Sequence, residues 1–477
     1  MRTLALGQEW QDQGGTVTLV TKMEVSRLEE RIHGEGFRLY RLEVEPGSPA
    51  DVRETARVAT GMEARWVVVD GYEFGAGYQQ MLRDQGLKVL LIDDHGQTGG
   101  CGADLVLDQN LSAEEGMYAG CEPCRGVLLG PRFALIRREF REAGRRQREI
   151  PSITRNVLVT MGGADPGNAT LTVLQTLEEL GGEGTRITVV VGEANPHGEM
   201  LEERILGRPS IRLVRGGETL ASVFADADAA ISGGGSTTLE LLYLGVPFLT
   251  VVLAPNQAPV AQALEVQGFT RILGEAEHLE PAFIAGELRR FFRAQEERRR
   301  FSEAGRRLVD GEGAARVVMR LRGDPLRVML AKADDCHNVL EWANDPVVRA
   351  ASFHPDPIPV REHEVWFARM IRDEQTLFLI AVDGDDRPAG QVRFAIKDRT
   401  AEVHYSISRE FRGRGMGVHL LEAGLRTLVN RRAVQRVYGA VKVDNLPSIR
   451  SFEGAGFSRR GSDVLHGSDI YWYERVC

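Results

Sequence analysis

Short apolar runs that end in glycine or aspartate turns alternate with amphipathic helical stretches over the first two thirds of the chain. Examples are WVVVD at 66–70, VLLIDD at 89–94 and NVLVTMGG at 156–163. Strands that alternate with helices form right-handed crossover units, so the pattern predicts an α/β fold with parallel sheets. Glycine makes up 53 of the 477 residues, above the usual share of about 7%. Glycine clusters after strands are typical of phosphate-binding loops.

A chain of 477 residues corresponds to about three domains. We predict a Rossmann-like half over residues 1–150, a second Rossmann-like half over residues 151–322, and an α+β domain over residues 326–477. The pair Asp324–Pro325 marks the linker, since proline and the residue before it disfavour helix. Within the second half, we predict one long charged helix from Pro281 to Arg320.

Composition restricts the function classes. The net charge of −9 and the lack of a long apolar run argue against a nucleic-acid or membrane binder. Five cysteines are too few for a disulfide framework, and no leader peptide is recognisable, so we expect a cytoplasmic protein. Cys121 and Cys124 have C-x-x-C spacing, with Cys101 and His95 upstream. We interpret the cysteines as incidental thiols, with zinc ligation as the alternative, and expect no metal.

The middle glycine turn, SGGGS at 232–236, lies between a predicted strand and a predicted helix. The backbone N–H groups of this turn and the positive end of the helix dipole suit a pyrophosphate. Glu240 lies one turn into the helix, where a carboxylate is placed to accept hydrogen bonds from ribose hydroxyls. A plain strand–helix turn with a solvated Glu240 explains the same spacing equally well.

The run ISGGGSTTLELLYLGVPFLTVVLAPNQ at 231–257 resembles the UDP-sugar segment of nucleotide-sugar enzymes with the GT-B fold. Together with VVVDGY at 67–72, LIDD at 91–94, LLGPRFALIRREF at 128–140 and MGGADP at 161–166, it resembles the pseudaminic-acid pathway hydrolases. These cleave UDP-2,4-diacetamido-2,4,6-trideoxy-β-L-altropyranose. The resemblance implies UDP release by water attack at the anomeric carbon, with inversion and without a metal. It implies catalytic roles for Tyr72 and Asn256 and substrate binding by Gly162, Gly163, Gly235, Ser236, Glu240 and Gln257.

The chain departs from this family at its start. The family opens with a strand and an I-G-x-G-H loop, whereas MRTLALG resembles the helix that follows them. We therefore expect the first sheet to lack a central strand and its neighbours to expose unpaired backbone groups. The interpretation we favour is a chain that starts too late, and the alternative is a half that has lost hydrolysis. His95 is a candidate substitute for the missing histidine base.

The C-terminal third contains the sequence RGRGMG at 412–417, an R-x-x-G-x-G loop between a predicted strand and helix. Such a loop presents consecutive N–H groups to a pyrophosphate, and its arginines add positive charge. Taken alone, a basic turn explains it as well. Upstream, Glu402 and His404 lie on one face of the strand as candidate general bases. A solvated strand face is the alternative for this pair.

Two further segments lie on either side of this loop: WANDPVVRAASFHPDPIPVREHEVWF at 342–367 and VKVDNLPSIRSFEGAGF at 441–457. Their sequences and spacing resemble those of GCN5-related N-acetyltransferases (GNAT). The resemblance covers residues 326–477 and includes the branch that acetylates the 4-amino group of UDP-amino sugars. It implies acetyl-CoA as co-substrate. Phe452 replaces the usual tyrosine of the late helix, so the general acid is not identified. The resemblance implies cofactor binding by Arg412, Gly413, Arg414, Gly415, Gly417 and Asn445.

The sequence therefore predicts a bifunctional enzyme of pseudaminic-acid biosynthesis, which acetylates a UDP-amino sugar and then releases UDP. One alternative is a UDP-sugar glycosyltransferase fused to an acetyltransferase. Another is an acetyltransferase whose first half only binds UDP-sugar. UDP-amino sugars are the expected partners. The sequence does not indicate which oligomeric state the protein has.

Overall fold

A computed structural model describes residues 1–22, 26–94, 96, 101–121, 126–181, 184–215 and 220–477. The chain divides into two compact units. The first comprises Met1–Glu9 and Thr16–Val317, and the second comprises Trp10–Gly15 and Val318–Cys477. The protein is a mixed α/β structure with parallel, Rossmann-like sheets in its first unit, as the alternating sequence pattern predicts.

All strand pairs described in the first unit are parallel, and they form three sheets. The strands of its first half are β1 (Thr18–Thr21), β2 (Arg38–Arg41), β3 (Trp66–Asp70), β4 (Lys88–Ile92), β5 (Leu105–Asp108) and β6 (Val127–Leu129). The helices of this half are α1 (Arg2–Asp12), α2 (Ser26–Gly34), α3 (Pro49–Gly61), α4 (Ala76–Asp84) and α5 (Arg138–Ala143).

The strands of the first half form two separate pieces. β1 pairs with β2, and a four-stranded sheet has the order β3-β4-β5-β6. Within the described residues, no ladder joins the two pieces. This half therefore contains two short sheets, which is what a sheet without its central strand leaves, as expected from the sequence.

The second half of the first unit forms one six-stranded sheet with α-helices between its strands. Its strands are β7 (Asn156–Thr160), β8 (Arg186–Val191), β9 (Ile211–Arg215), β10 (Ala229–Gly233), β11 (Phe248–Val252) and β12 (Ile272–Glu275). Its helices are α6 (Ala169–Leu180), α7 (Gly198–Ile205), α8 (Leu220–Ala225), α9 (Thr237–Leu244), α10 (Ala258–Val266), α11 (Pro281–Arg293), α12 (Gln295–Leu308) and α13 (Gly313–Arg322).

The order of this sheet is β12-β11-β10-β7-β8-β9. β7 lies between β8 and β10, so the chain changes direction across the sheet at the β7–β10 pair. In open parallel sheets, ligands bind at the carboxyl ends of the strands beside such a point. Every residue of β10 and β11 is buried, as expected for strands of a parallel sheet covered on both faces.

The predicted long helix from Pro281 to Arg320 is wrong, because the segment forms α11, α12 and α13. Ala294 separates the first two, with a backbone ψ of 68° that is not helical. Gly311, with a φ of +80°, lies in the turn between α12 and α13. A positive φ favours glycine and stops a right-handed helix, so the charge pattern alone does not set the helix length.

The second unit contains a seven-stranded mixed sheet of order β13-β14-β15-β16-β17-β19-β18, in which only β16 and β17 pair in parallel. Its strands are β13 (Arg327–Leu330), β14 (Thr376–Val382), β15 (Pro388–Lys397), β16 (Thr400–Ile407), β17 (Arg436–Lys442), β18 (Ser458–Leu465) and β19 (Ser468–Val476). Its helices are α14 (Cys336–Asn344), α15 (Pro346–Ala351), α16 (Val360–Met370), α17 (Met416–Arg431) and α18 (Leu446–Gly454).

Cys101 and Cys121 form a disulfide bond, with their Cα atoms 4.8 Å apart. The expectation of free thiols is therefore wrong for this pair, since the fold places the two cysteines at a bridging distance. Cys124 and His95 lie outside the described residues. In the rest of the chain, no group of three or more His, Cys, Asp or Glu side chains is placed to hold a metal ion.

The described helices include none with both the length and the apolar character needed to cross a membrane.

Asp165 caps α6, and its loss is expected to destabilise the first unit. Its buried carboxylate accepts hydrogen bonds from the Ala169 and Thr170 amides and from the Thr170 hydroxyl. We expect Asp165→Ala to lower the free energy of unfolding of this unit by about 2 kcal/mol. Urea denaturation and hydrogen exchange of the α6 amides measure the change. Glu199→Ala, at the exposed start of α7, is the control, and an equal effect of both variants would contradict this role.

Candidate functional sites

The N-terminus of α9 carries backbone donors without acceptors. β10 ends at Gly233, and α9 begins at Thr237. The N–H groups of Gly235, Ser236 and Thr237 have no acceptor in the described structure, and the Ser236 side chain makes no capping hydrogen bond. Free donors at a helix N-terminus, together with the helix dipole, form an anion site.

The other glycine turn of this sheet is different. Gly162 and Gly163 follow β7, and a φ of +76° at Gly162 explains the glycine there. The Asp165 carboxylate already accepts the amide hydrogens at the start of α6. The dipole of α6 is therefore matched by a negative charge within the protein. This turn is for that reason a weaker site for an external phosphate than the start of α9.

Gln257 holds the α9 turn in place. Its Oε1 accepts hydrogen bonds from the backbone N–H groups of Gly234 and Leu253, each at 3.1 Å. Its carbonyl oxygen therefore supports the loop between β10 and β11. The sequence resemblance assigned Gln257 to the substrate, and in this structure its carbonyl oxygen binds protein backbone.

Glu240 is also paired within the protein. Arg137 donates from Nε to one Glu240 carboxylate oxygen at 2.8 Å and from Nη2 to the other at 3.1 Å. Burial opposes the charge of Arg137, but the Glu240 carboxylate outweighs it and raises the arginine pKa. Each Glu240 oxygen therefore already accepts one hydrogen bond, and the predicted ribose contact would use a remaining lone pair.

Tyr72 and Asn256, from different halves of the first unit, are in contact. The Asn256 Nδ2 atom donates to the Tyr72 hydroxyl at 3.2 Å, and that hydroxyl donates to Asp94 Oδ2 at 3.4 Å. Desolvation and then the negative charge of Asp94 raise the pKa of Tyr72, so its hydroxyl stays protonated. The structure thus brings together the two residues that the sequence placed in one sugar site.

Asp94 belongs to a polar network that sequence reasoning missed. Its Oδ1 accepts hydrogen bonds from Arg2 at 2.7 Å and from Asn110 at 2.9 Å, and Arg2 also binds Asp70 at 2.6 Å. Asp70 and Asp94 follow the carboxyl ends of β3 and β4. Aspartates at neighbouring strand ends were the available signal, but their link through Arg2 and Asn110 depends on the fold.

Behind this network lies a buried tyrosine between two carboxyl groups. The Tyr118 hydroxyl lies 3.0 Å from Asp93 Oδ2 and 2.9 Å from Asp108 Oδ2, yet one hydroxyl donates only one hydrogen. Burial raises the pKa of Asp93. The Asp93 and Asp108 carboxyl groups therefore share the single hydrogen of the Tyr118 hydroxyl.

In the second unit, the parallel strands β16 and β17 separate after a short contact. Their pairing runs from Thr400–Arg436 to Glu402–Tyr438, and no later residues pair across the gap within the described structure. Backbone groups beyond Glu402 and Tyr438 therefore face an open wedge. Such groups are a binding surface for an extended chain with amide groups.

The RGRGMG loop follows β16 and leads into α17. Gly413 and Gly415 have φ angles of +75° and +74°, which explains glycine at both positions. The N–H groups from Gly413 to Gly417 have no acceptor in the described structure. A Cβ on Gly417 would lie 2.3 Å from Ser451 Oγ, so the start of α17 packs closely against α18. The loop is a second uncapped anion site at a helix N-terminus.

Arg412 and Arg414 differ in this loop. Arg414 is exposed, whereas Arg412 donates to the Ile407 carbonyl at 3.0 Å and to Asp345 at 2.8 Å. Burial alone would raise the pKa of Asp345, and its hydrogen bonds from Arg412 and from the start of α15 lower it. Arg412 therefore fixes the loop through Asp345, while its buried Nη2 has no protein partner.

Asn445 caps α18, since its side chain accepts a hydrogen bond from the Ser448 amide at 3.2 Å. The Ser448 hydroxyl lies 2.9 Å from the Tyr405 hydroxyl, a contact that the sequence did not indicate. Phe452 is buried in the core and has no group to donate a proton. Tyr405 therefore places a hydroxyl at the start of α18, and the Tyr473 hydroxyl donates to Glu453 near its end.

Glu402 and His404 lie on one face of β16, 3.5 Å apart at their nearest side-chain atoms. Desolvation and then the Arg393 guanidinium lower the pKa of His404 to about 4. His404 is therefore neutral at pH 7 and a weak base there. Glu402 lies at the closed end of the wedge, where β16 and β17 separate, and His404 lies two residues further along the edge of the wedge.

Residues 326–458 match the sequence family described as the acetyltransferase (GNAT) domain. The second unit therefore contains a GNAT domain. The prediction of acetyl-CoA as co-substrate is confirmed, because that family uses it. The open wedge and the RGRGMG loop lie within the matched residues.

The chain is also similar to curated proteins. It is 29% identical over 197 residues to the spore coat polysaccharide biosynthesis protein SpsG of Bacillus subtilis, a match that covers 41% of this chain and 58% of that protein. It is 21% identical to the uncharacterized protein MJ1062 of Methanocaldococcus jannaschii, over 96% of this chain and 93% of that protein. A spermidine N-acetyltransferase from Vibrio cholerae, solved with CoA and spermine, matches 32% of this chain and 95% of its own, with 20% identity and a TM-score of 0.29.

A carboxylate at position 236 should compete with an external anion at α9. We expect Ser236→Asp to cap α9 as Asp165 caps α6, and to stabilise the first unit by about 0.5–1 kcal/mol. Its negative charge should weaken UDP binding at least about tenfold, or ~1.4 kcal/mol. Calorimetric titration with UDP measures the affinity.

Ser236→Asn is the matched control, because asparagine caps the helix without adding charge. Equal UDP affinities for the two variants would contradict an anion site at α9.

Proposed function

We propose that this protein is a two-activity nucleotide-sugar enzyme. The second unit transfers an acetyl group from acetyl-CoA to the 4-amino group of a UDP-amino sugar. The first unit, with a GT-B-type arrangement of its two halves, hydrolyses the resulting UDP-2,4-diacetamido-2,4,6-trideoxy-β-L-altropyranose, which places the protein in pseudaminic-acid biosynthesis. The similarity to SpsG, a polysaccharide biosynthesis protein, supports a role in sugar metabolism.

The observation that carries the acetyl-transfer proposal is the wedge between β16 and β17 beside the uncapped start of α17. The N–H groups from Gly413 to Gly417 suit the pyrophosphate of acetyl-CoA, and the unpaired strand edges suit the amide groups of its pantetheine arm. An acetyl group at the end of that arm is then placed near Glu402.

The reaction needs a neutral amine. Glu402, directly or through a water, takes a proton from the acceptor ammonium, and the amine nitrogen attacks the thioester carbonyl carbon. The C–N bond forms, the nitrogen loses its second proton to solvent, the C–S bond breaks, and the CoA thiolate leaves and takes up a proton. Tyr405 is the candidate donor of that proton, because its hydroxyl and the Ser448 hydroxyl adjoin α18.

The proposal for the first unit is supported by the uncapped start of α9 and by the Tyr72–Asn256 contact. The free N–H groups of Gly235, Ser236 and Thr237 suit the diphosphate of UDP and stabilise the negative charge that develops as it leaves. Tyr72 and Asn256 offer hydrogen bonds to the sugar, and Asp94 orients Tyr72. Water then forms the C–O bond at the anomeric carbon as the bond to the diphosphate breaks.

One chain that carries both activities raises the local concentration of the intermediate, since the product of acetylation is the substrate of hydrolysis.

Removal of the proposed base should slow acetyl transfer. We expect Glu402→Gln to lower kcat by about 10²-fold or more, because the amide accepts no proton. The loss should shrink as the pH rises, since solvent then deprotonates the amine. The rate of CoA release with a UDP-4-amino sugar measures the effect. Glu422→Gln, a partly exposed glutamate on α17, is the control, and an unchanged kcat in Glu402→Gln would exclude the role.

The first unit is tested by UDP release from the diacetamido UDP-sugar. We expect Tyr72→Phe and Asn256→Ala each to slow release by about tenfold or more, because each removes a hydrogen bond to the reacting sugar. Tyr243→Phe is the control, since its hydroxyl binds the Arg141 carbonyl away from this contact.

The wild-type result separates the alternatives. Release of UDP without an acceptor supports hydrolysis. Release that requires a second sugar indicates a glycosyltransferase, and tight binding without release indicates a half that only binds UDP-sugar.

A further inference from the structure

Arg393 on β15 has no carboxylate partner within the described part of the chain. Its Nη1 donates to the Met370 sulfur at 3.6 Å, and its guanidinium carbon lies 5.1 Å from the centre of the Trp366 ring. A thioether is a weak acceptor, so neither contact neutralises the charge. Three other partly buried arginines of the second unit have carboxylate partners: Arg327 with Asp386, Arg412 with Asp345, and Arg426 with Asp324. Arg349 and Arg475 donate to backbone carbonyl oxygens instead, so Arg393 differs from all five in having no oxygen acceptor among its contacts in the described structure.

The environment of Arg393 is unfavourable for an isolated charge. Desolvation lowers its pKa, and the more distant Glu402 only partly opposes this effect. A guanidinium removed from water without a partner is costly. The planar donor fork of arginine also matches the oxygen atoms of carboxylates and phosphates. The missing partner is therefore best supplied by an anionic ligand.

Arg393 lies on the same sheet face as the proposed base. In the antiparallel pair of β15 and β16, Arg393 is opposite His404, and Ala395 is opposite Glu402. Arg393 and Glu402 are thus diagonal neighbours, whose Cβ atoms are about 7–8 Å apart in such a pair. This spacing is comparable to the separation of the 4-amino nitrogen and the anomeric phosphate across a pyranose ring.

We propose that Arg393 binds a phosphate group of the acetyl acceptor and thereby selects amines that carry a phosphate ester. The inference rests on the proposed acetyl transfer by the second unit. Glu402 faces the amine, and Trp366 keeps the guanidinium in place beside it. His404, neutral at pH 7, lies between the two without adding positive charge.

Three acceptors that share one amino sugar test this selection in the full-length protein. They are the UDP-linked 4-amino sugar, the same sugar as its 1-phosphate, and its uncharged methyl glycoside. We expect kcat/KM to be at least about 100-fold higher for the UDP-linked acceptor than for the glycoside. If kcat/KM for the 1-phosphate equals that for the UDP-linked acceptor, Arg393 contacts the phosphate attached to the sugar. If kcat/KM for the 1-phosphate is much lower, Arg393 contacts the outer phosphate of UDP.

Variants of Arg393 test the residue. We expect Arg393→Gln to lower kcat/KM for the UDP-linked acceptor at least about 30-fold, mainly through KM, and to leave the glycoside unaffected. Arg393→Lys should restore part of the preference, because it keeps the charge. Arg436→Gln, an exposed arginine on β17 that lies 3.8 Å from Glu474, is the matched control and should change neither acceptor. CoA affinity by calorimetry shows that each variant is folded.

Equal use of the charged and uncharged acceptors by the wild-type protein would overturn the proposal while leaving acetyl transfer intact. An equal loss for both acceptors in Arg393→Gln would also overturn it, since a structural role predicts that result. Failure to acetylate any of the three would instead overturn the proposed function.

Discussion

Backbone groups without partners define both candidate sites of this protein. A folded chain pairs nearly all of its buried N–H and C=O groups. In the described residues, backbone groups without protein partners lie at the start of α9, at the start of α17 and along the wedge between β16 and β17. Each of these places faces the phosphate or amide groups of the proposed ligand. The side chains around these places then decide what chemistry follows.

The arrangement of carboxylates explains why one glycine turn is a candidate site and another is not. Asp165 fills the start of α6 with a negative charge from the protein, and no carboxylate caps α9 or α17. The same argument applies to arginines, whose positive charge either has a carboxylate partner within the protein or has none. Arg137 and Arg412 are matched by Glu240 and by Asp345, whereas Arg393 contacts the Met370 sulfur and the Trp366 ring and is the arginine that we propose for an external anion.

Much of the fold follows from local sequence patterns. Alternating apolar runs and helices predict the parallel sheets of the first unit, and glycines mark the turns at Gly413 and Gly415, where a positive φ requires them. The length of the helical segment after Pro281 was not predictable, because the break at Ala294 has no Gly or Pro signal. The Cys101–Cys121 bond depends on tertiary contacts that spacing does not reveal.

The candidate sites were predictable in location but less so in detail. The contact of Tyr72 with Asn256 agrees with the single sugar site that the resemblance implies for both, yet Gln257 and Asn445 make structural hydrogen bonds to backbone N–H groups. Glu240 pairs with Arg137, a residue 103 positions earlier in the chain. Such partners are set by the packing of distant segments, so a motif shows which residues are near a ligand and not which atoms remain available.

Hydrogen exchange measured by mass spectrometry, with UDP and CoA added separately, tests the central claim most directly. The account predicts that UDP slows exchange in peptides that contain Gly235 to Thr237 and leaves β16 and α17 unchanged. It predicts that CoA slows exchange in β16, in β17 beyond Tyr438 and in the loop from Gly413 to Gly417, without an effect at α9. Protection of neither region, or protection of the same region by both ligands, would contradict it.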